Sequence, residues 1–427
     1  MRRFTGLVTL VASAALALTA CSGAAPAPAQ SGSGGGELSG TIKFQSWSLK
    51  GEKFSPYFEA LFASFKKEHP NVTIEWLDQP GDGYQDKVLS QANSNTLPDV
   101  VNLPPDIAFP LASAGVLLDV DKADPSLAST FVPGAWKAYQ YPGLTGTFGM
   151  PWYLGTDLSW WNGTELKKYD IDTDNLPTTN EGLIDLAKKV GTASKGKMPV
   201  LSSMPTVDLF ESSGIQVMND SGDWVFNTPQ AAGIVDQFRE AYKAGGVPDE
   251  ALTGDFGGNA DGFKQGKVAF TTATSTFASD LEQNAPTIRK GVIATPRIGD
   301  APLFVQGVSV AANSTNKDAA IAFAKYLTNT ENQIAFCKLA VGFMPGTVEG
   351  SADTKSLSAG ITDELQLKAI GIVVESMKTA RVLTPVQWTG AMKTYMDQQL
   401  ALAIKGEISS QEALDKIVDY ANKNKIK

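Results

Sequence analysis

The chain has little of what most catalytic and metal centres are built from. Of its 427 residues, two are cysteine (Cys21 and Cys337) and one is histidine (His69). Two cysteines make no disulfide framework. A lone histidine leaves no His-based zinc site, and no serine–histidine–aspartate set except one built on His69 itself. His69 stands before Pro70, ahead of a strand-like run, and reads as a helix-terminal surface residue. Positive charge is also short: 36 Lys and Arg against 45 Asp and Glu give a net charge of −9. A nucleic-acid partner needs a basic face, so that class is disfavoured. Beyond Arg2 and Arg3 the arginines are Arg239, Arg289, Arg297 and Arg381. The arginine fork is the usual clamp for carboxylate and phosphate, so its scarcity tilts the ligand toward an uncharged molecule. After the first twenty residues no apolar run is long enough to span a bilayer.

What is present begins at the N-terminus. Arg2-Arg3 form a positive region, and Leu7–Leu18 an apolar segment too short for a comfortable membrane span. The pattern is that of a signal peptide over residues 1–20. Leu18-Thr19-Ala20-Cys21 resembles the lipobox of bacterial lipoproteins, which implies a lipidated Cys21 as the new N-terminus. Residues 21–36, rich in Ala, Pro, Ser and Gly, read as a flexible tether. Lipid and leash together would hold a globular body at the outer face of a membrane. Hydrophobic content of 43% and charged content of 19% suit such a body. Its length exceeds one core and suggests two or three domains.

The stretch Phe148–Asn162 organises that body. Gly149 and Pro151 interrupt the backbone around Met150, and Trp152, Tyr153, Trp160 and Trp161 follow. Phe148–Pro151 reads as a crossing between two lobes and Trp152–Asp157 as lining the groove beside it. Before it, strands over Thr41–Trp47, Val72–Leu77 and Pro98–Leu103 alternate with helices. The first helix is opened by Pro56 and carries Tyr57, Phe58, Leu61, Phe62 and Phe65 on one stripe. Others cover 84–94 and Ile107–Ala114. This alternation predicts βαβ units and a largely parallel sheet. After it, helices are expected over Thr164–Tyr169, Glu181–Val190, Ala231–Ala244 and Lys317–Leu327. Strands are expected over Trp224–Phe226, Val268–Thr272, Val292–Pro296 and Gly307–Ala311. The C-terminal third is mostly helical, and there is no internal repeat.

Six short motifs follow one another in order: Pro98-Asp-Val-Val101, Gly149-Met-Pro151 through Trp160-Trp-Asn162, Phe263–Phe270, Ser309–Leu327, Gly342-Phe-Met-Pro345 and Gly406–Leu414. Together they resemble those of the extracellular solute-binding proteins of ABC importers, in the sugar-binding, maltose-binding-protein-like cluster. The resemblance covers nearly all of the chain after the leader. It implies an α/β, type II periplasmic-binding fold of two lobes with the ligand cleft at the hinge. Lobe 1 would take 37–148 plus 302–340, and lobe 2 would take 150–300 plus 345–427. Crossings would fall near 148–151, 298–302 and 341–345. It further implies a monomeric receptor for a small carbohydrate, with ABC permease subunits as partner, no cofactor and no catalysis. The sequence departs from the family where a glycine-tryptophan pair often follows the strand at 268–272. Ala273–Phe277 stands there instead, with Phe277 as the substitute.

Sugars offer apolar faces for stacking and hydroxyl edges for bidentate acceptors. A sugar site therefore joins tryptophan or tyrosine to carboxylates and amides. Trp47 ends the first strand, where open α/β sheets bind ligands; its alternative is a rim residue packing on its own lobe. Asp106 follows the third strand and could serve as ligand, as N-cap, or as both. Trp152 and Tyr153 supply a stacking platform, with Asp157 as a hydroxyl acceptor. Trp160 and Trp161 read as core. Asp208, with Glu211 nearby, lies in a loop-to-helix region that carries cleft contacts in the relatives. Gln306-Gly307 precedes the return strand, and Gly307 would let a ligand approach the backbone. Trp388 lies near the start of a C-terminal helix that reaches the cleft. Asp170, Asp172, Asp174 and Glu181 match four positions of an EF-hand loop, but Asn175 replaces the required glycine. Thr178–Glu181 reads more simply as a capping box. The rival class is a secreted glycoside hydrolase with Asp157 and Asp208 as its carboxylate pair. A third option is a binding protein for a non-sugar solute.

Overall fold

The computed structural model describes residues 37–253 and 258–425. The leader, Cys21 and the tether to residue 36 lie outside the described residues. Among the described residues nine strands form two sheets: β1 (Ser39–Trp47), β2 (Asn71–Gln79), β3 (Val100–Leu103), β4 (Met150–Gly155), β5 (Leu158–Asn162), β6 (Phe270–Ala273), β7 (Val292–Pro296), β8 (Phe304–Val310) and β9 (Met344–Pro345). The first sheet runs β2-β1-β3-β8-β4-β9 and the second β6-β5-β7.

The expected βαβ start is present. β1 pairs parallel with both β2 and β3. The helix Ser55–Glu68 packs Phe58, Leu61 and Phe65 inward, starting with proline near its N-terminus. A largely parallel sheet, however, is not what forms. β8 runs antiparallel to β3 and β4, and β4 antiparallel to β9. The second sheet is antiparallel throughout. The reason lies in connectivity: the chain leaves the first sheet along β4 and comes back along β8, so these neighbours must oppose each other. β4 is hydrogen-bonded into the first sheet, and only Thr156–Asp157 separate it from β5 in the second. The expected crossing at 148–151 therefore stands at the start of β4, within the first sheet.

β5 shows how one strand serves two cores. Successive side chains of a strand point to opposite faces. Leu158 and Trp160 join the hydrophobic cluster that fills the first sheet and extends under β5 to Phe263, Phe277 and Val373. Trp161 joins a second cluster on the other face, built with helices Asn180–Ser194, Pro229–Lys243, Gly390–Lys405 and Ser410–Lys423. Each indole finds an acceptor: Trp160 Nε1 donates to Ala273 O at 3.0 Å and Trp161 Nε1 to Thr295 Oγ1 at 2.9 Å.

Two local expectations are corrected. Trp224–Phe226 forms no strand, only a single bridge between Met218 and Trp224. The Asn422 side-chain amide takes both backbone groups of Trp224, accepting from its N–H at 2.8 Å and donating to its carbonyl at 2.9 Å. The cap of helix Asn180–Ser194 is Thr179, one residue beyond the expected Thr178, and it accepts from Gly182 N at 3.1 Å. The helix over Lys317–Leu327 has the expected bounds.

Candidate functional site

The carboxyl ends of β1 and β3 and the start of β8 lie at one end of the first sheet, and a cavity of about 800 Å³ opens there. Open α/β sheets bind ligands at such strand ends. Four of the expected residues line it: Trp47, Asp106, Gln306 and Trp388.

Each is held by its element. Trp47 closes β1 and stacks on Tyr84, with ring centroids 5.3 Å apart. It packs against the first cluster, whereas Trp388 packs against the second. Trp388 meets Trp224 edge-on at 4.9 Å, just before the Thr389-capped helix Gly390–Lys405. Asp106 is exposed in the first turn of helix Pro105–Ser113, whose N-cap is Pro104, so Asp106 is not the cap. Although open to solvent on the cleft side, its carboxyl is surrounded by enough protein that desolvation holds it above its ordinary value. The N–H groups of Asp106 and Ile107 pull the other way. Gln306 is oriented by Asn102, whose Nδ2 donates to Gln306 Oε1 at 3.3 Å.

Several lining residues carry no mark in the sequence reading. Tyr141 donates to Pro105 O at 3.0 Å, and burial raises its phenol so that it stays a donor. Phe304 and Val382 line the cavity while 45% and 41% exposed, which is unusual among the large apolar side chains. Arg381 stands at the rim, tied to Glu211 at 2.8 Å and Asp300 at 2.7 Å. Tyr141, Phe304 and Arg381 come from connecting segments or a strand end, where no periodicity marks a side chain as cleft-facing. Only the pairing of an aromatic with a neighbouring proline at Tyr141-Pro142 offered a signal.

Other expected residues lie elsewhere. Trp152 has no exposed surface: it is packed by Phe58 and Phe336 within the first cluster. Tyr153 is half-buried against Phe336 and Phe343 and does not line the cavity. Both side chains are drawn into the aromatic core beside the helix Thr330–Leu339, which leaves no stacking face in the cleft. Phe277 is buried edge-on to Trp160 at 5.4 Å. Gly307 does permit a close approach, but of protein: a Cβ there would sit 2.4 Å from the Tyr139 hydroxyl and 2.5 Å from Met150 O.

Asp157 and Asp208 meet in a second cavity of about 200 Å³ that shares no lining residue with the first. There Asp208 pairs with Arg297 at 3.1 Å. Asp157 is half-buried, and its carboxyl is pushed up to about 6 by burial, with Arg297 pulling down and Asp208 adding to the rise.

The stretch that matches part of an EF-hand loop is closed on itself. Asp172 accepts from Asp174 N at 3.0 Å and from Asn175 Nδ2 at 2.5 Å, a self-contained turn. Among the described residues no group of three or more His, Cys, Asp or Glu is placed to hold a metal ion.

The family model for bacterial extracellular solute-binding proteins matches residues 13–334. Among curated proteins, the melibiose/raffinose/stachyose-binding protein MelE of Bacillus subtilis (strain 168) is 23% identical over 334 residues, 72% of this chain and 71% of that protein. A lipoprotein from the oleD 5′ region of Streptomyces antibioticus is 25% identical over 321 residues, 71% of this chain and 69% of its own. Among solved structures, the GacH receptor of Streptomyces glaucescens GLA.O, determined unliganded and with acarbose, superposes with a TM-score of 0.71 at 21% identity. That match covers 91% of this chain and 100% of the receptor, and at such identity it speaks for the fold.

Proposed function

This chain belongs to the bacterial extracellular solute-binding protein family, a family of binding proteins rather than enzymes, and from that premise we propose that it captures a neutral sugar or oligosaccharide and delivers it to an ABC permease. The observation that carries the reading is the pair Trp47 and Trp388, which line one cavity from two different hydrophobic clusters. Aromatic faces set beside one carboxylate and two amides (Asp106, Gln306 and Gln387) suit a ring with an apolar face and a hydroxyl edge. Its volume, about 800 Å³, lies toward the upper end of the range usual for small-molecule sites and leaves room for more than one ring. The relatives named for melibiose, raffinose and stachyose, and the receptor solved with acarbose, support the same class.

In this reading the two lobes carry one sheet each. The chain passes between them at Thr156–Asp157, again between β7 and β8, and a third time between β9 and the helices Gly390–Lys405 and Ser410–Lys423 of the second cluster. Closure about those passages would bring Trp388 toward Trp47 over the ligand and present both lobe faces to the permease. The Leu18–Cys21 motif supports a lipid anchor that keeps the body at the outer face of the membrane.

The test is a thermal-shift screen of the purified protein against mono-, di- and oligosaccharides, polyols, sugar phosphates and short peptides. A ligand that binds only the folded form raises the melting temperature. A neutral glycan should do so, should be recovered intact, and should lose its effect in Trp388→Ala. A shift produced only by a phosphate ester or a peptide would overturn the carbohydrate assignment, and glycan breakdown would overturn the receptor.

A further inference from the structure

The strand β3 reads Val100-Val-Asn-Leu103, and all four residues are buried. Asparagine is depleted from strands, and a buried amide costs free energy unless it is hydrogen-bonded. Valine or leucine would fill the place of Asn102 without that cost. Its partners show where the amide is spent. Asn102 Nδ2 donates to Gly307 O at 2.9 Å and to Gln306 Oε1 at 3.3 Å. Both acceptors belong to β8, which runs antiparallel beside β3. The backbone carbonyl of Asn102 accepts from the Tyr84 hydroxyl at 2.8 Å, and the Tyr84 ring is the one on which Trp47 stacks. Burial raises the Tyr84 phenol, so it stays protonated and goes on donating. Asn102 does not line the large cavity itself. It is bonded to one residue that does, Gln306, and to the support of another, Trp47.

The chemistry of these partners fixes which way each amide points. A backbone carbonyl only accepts, so Asn102 can meet Gly307 O only with its NH2 group. The same NH2 group then faces Gln306, whose side chain must turn its oxygen inward to accept. The two N–H bonds of Gln306 Nε2 are left over, on a half-buried side chain that lines the cavity. No protein group among the described residues accepts from that Nε2. Asp106 lines the same cavity, and an ionised carboxylate can only accept. The first sheet therefore offers the solute one fixed donor and one acceptor.

We propose that Asn102 is a positioning residue for capture: it locks the Gln306 amide with its NH2 group toward the cleft, and so selects a solute that gives an acceptor oxygen to Gln306 and a hydroxyl donor to Asp106. The inference rests on the reading of the large cavity as the glycan cleft.

Isothermal titration with melibiose, raffinose and maltotriose tests this on the whole protein and on Asn102→Leu, Gln306→Ala, their double variant and Gln306→Glu. Gln306→Ala should weaken the bound glycan about tenfold, the loss of one hydrogen bond. Asn102→Leu should weaken it about three- to tenfold. The double variant should bind no worse than Gln306→Ala alone, because two residues that act through one contact do not add. Gln306→Glu still accepts from Asn102 but has no N–H to offer, so it should bind no better than Gln306→Ala. Losses that multiply in the double variant would leave Asn102 a merely structural residue and overturn the proposal. Parental affinity in Gln306→Ala or Gln306→Glu would also overturn it, while a loss in Trp388→Ala would keep the glycan cleft standing. Binding of none of the three glycans by the parent would sink the glycan reading and the proposal together. Should Asn102→Leu fail to fold, hydrogen exchange in parent protein isotope-labelled at its side-chain amides decides. The Asn102 amide protons should exchange slowly with or without glycan, and those of Gln306 slowly only with it. Fast exchange at Asn102, or no slowing at Gln306, would overturn the proposal.

Discussion

Trp47 and Trp388 differ from Trp152, Trp160 and Trp161 in one respect that residue type does not reveal. The first two keep a face open to the large cavity, and the other three are enclosed. Substitution should separate them. Trp388→Ala removes a stacking surface and is expected to weaken glycan binding about 10- to 100-fold, since burying an aromatic side chain is worth about 1.5–3 kcal/mol. Trp152→Phe should leave the affinity unchanged, because its ring packs only on protein. Titration calorimetry on both variants checks the contrast. Asp157 makes a second prediction at this scale. Its carboxyl titrates near 6 in the fold against an ordinary 3.8, so the folded chain holds that proton more tightly than the unfolded one. The stability it contributes is full below about pH 4, declines as pH rises toward 6, and is gone above. Asp157→Asn should therefore gain on the parent between pH 4 and pH 7, by up to about 3 kcal/mol, as read from denaturant unfolding at each pH.

Among the elements, the helix Asn180–Ser194 depends on a single hydroxyl. Thr179 Oγ1 is the side-chain cap, and the helix packs Leu183, Ala187 and Val190 into the second core. Thr179→Ala should cost about 1 kcal/mol, with the loss visible in chemical denaturation and absent in Thr179→Ser. The connecting segment that carries Arg381 is fixed differently. Its backbone joins the passage before β8, with Leu303 N donating to Arg381 O at 2.9 Å and Arg381 N to Ala301 O at 3.1 Å. The guanidinium then holds Glu211 and Asp300. These are exposed ion pairs, so Arg381→Ala should cost no more than about 1 kcal/mol. The cost should shrink further at high salt, which melting curves at rising NaCl would show.

For the whole molecule, the decisive feature is that one polypeptide passes between two sheets and places a cavity where residues from both cores meet. If closure accompanies capture, small-angle scattering should record a smaller radius of gyration with glycan than without. The melting temperature should rise with glycan concentration, corresponding to about 2.7 kcal/mol at a hundred times Kd. A ligand that raises the melting temperature without compaction would mean that this body binds its solute already closed.

Most helices and the class are legible in the chain's own pattern, though not the absence of a strand at Trp224–Phe226. Periodicity fixes helices such as Ser55–Glu68 and Lys317–Leu327, because a buried stripe repeats at helical spacing whatever it packs against. The ordered motifs from Pro98 to Leu414 carried the family, since they record turns and strand ends that the chain itself imposes. Tertiary structure alone decided which side chains share a cavity. β4 and β8 must lie antiparallel because the chain leaves and returns through them, and that direction belongs to the connection rather than to either strand. Trp152 and Trp388 are equally aromatic in sequence. The rings of Phe58 and Phe336, distant in the chain, bury the first, while Trp224 and Phe226 pack on the second and still leave it lining the cavity. Asp157 and Asp208 look like cleft acids until strand register sets Asp157 opposite Arg297 and the helix Val207–Ser212 brings Asp208 to the same arginine. Those are contacts between segments far apart in the chain, and no local pattern encodes them.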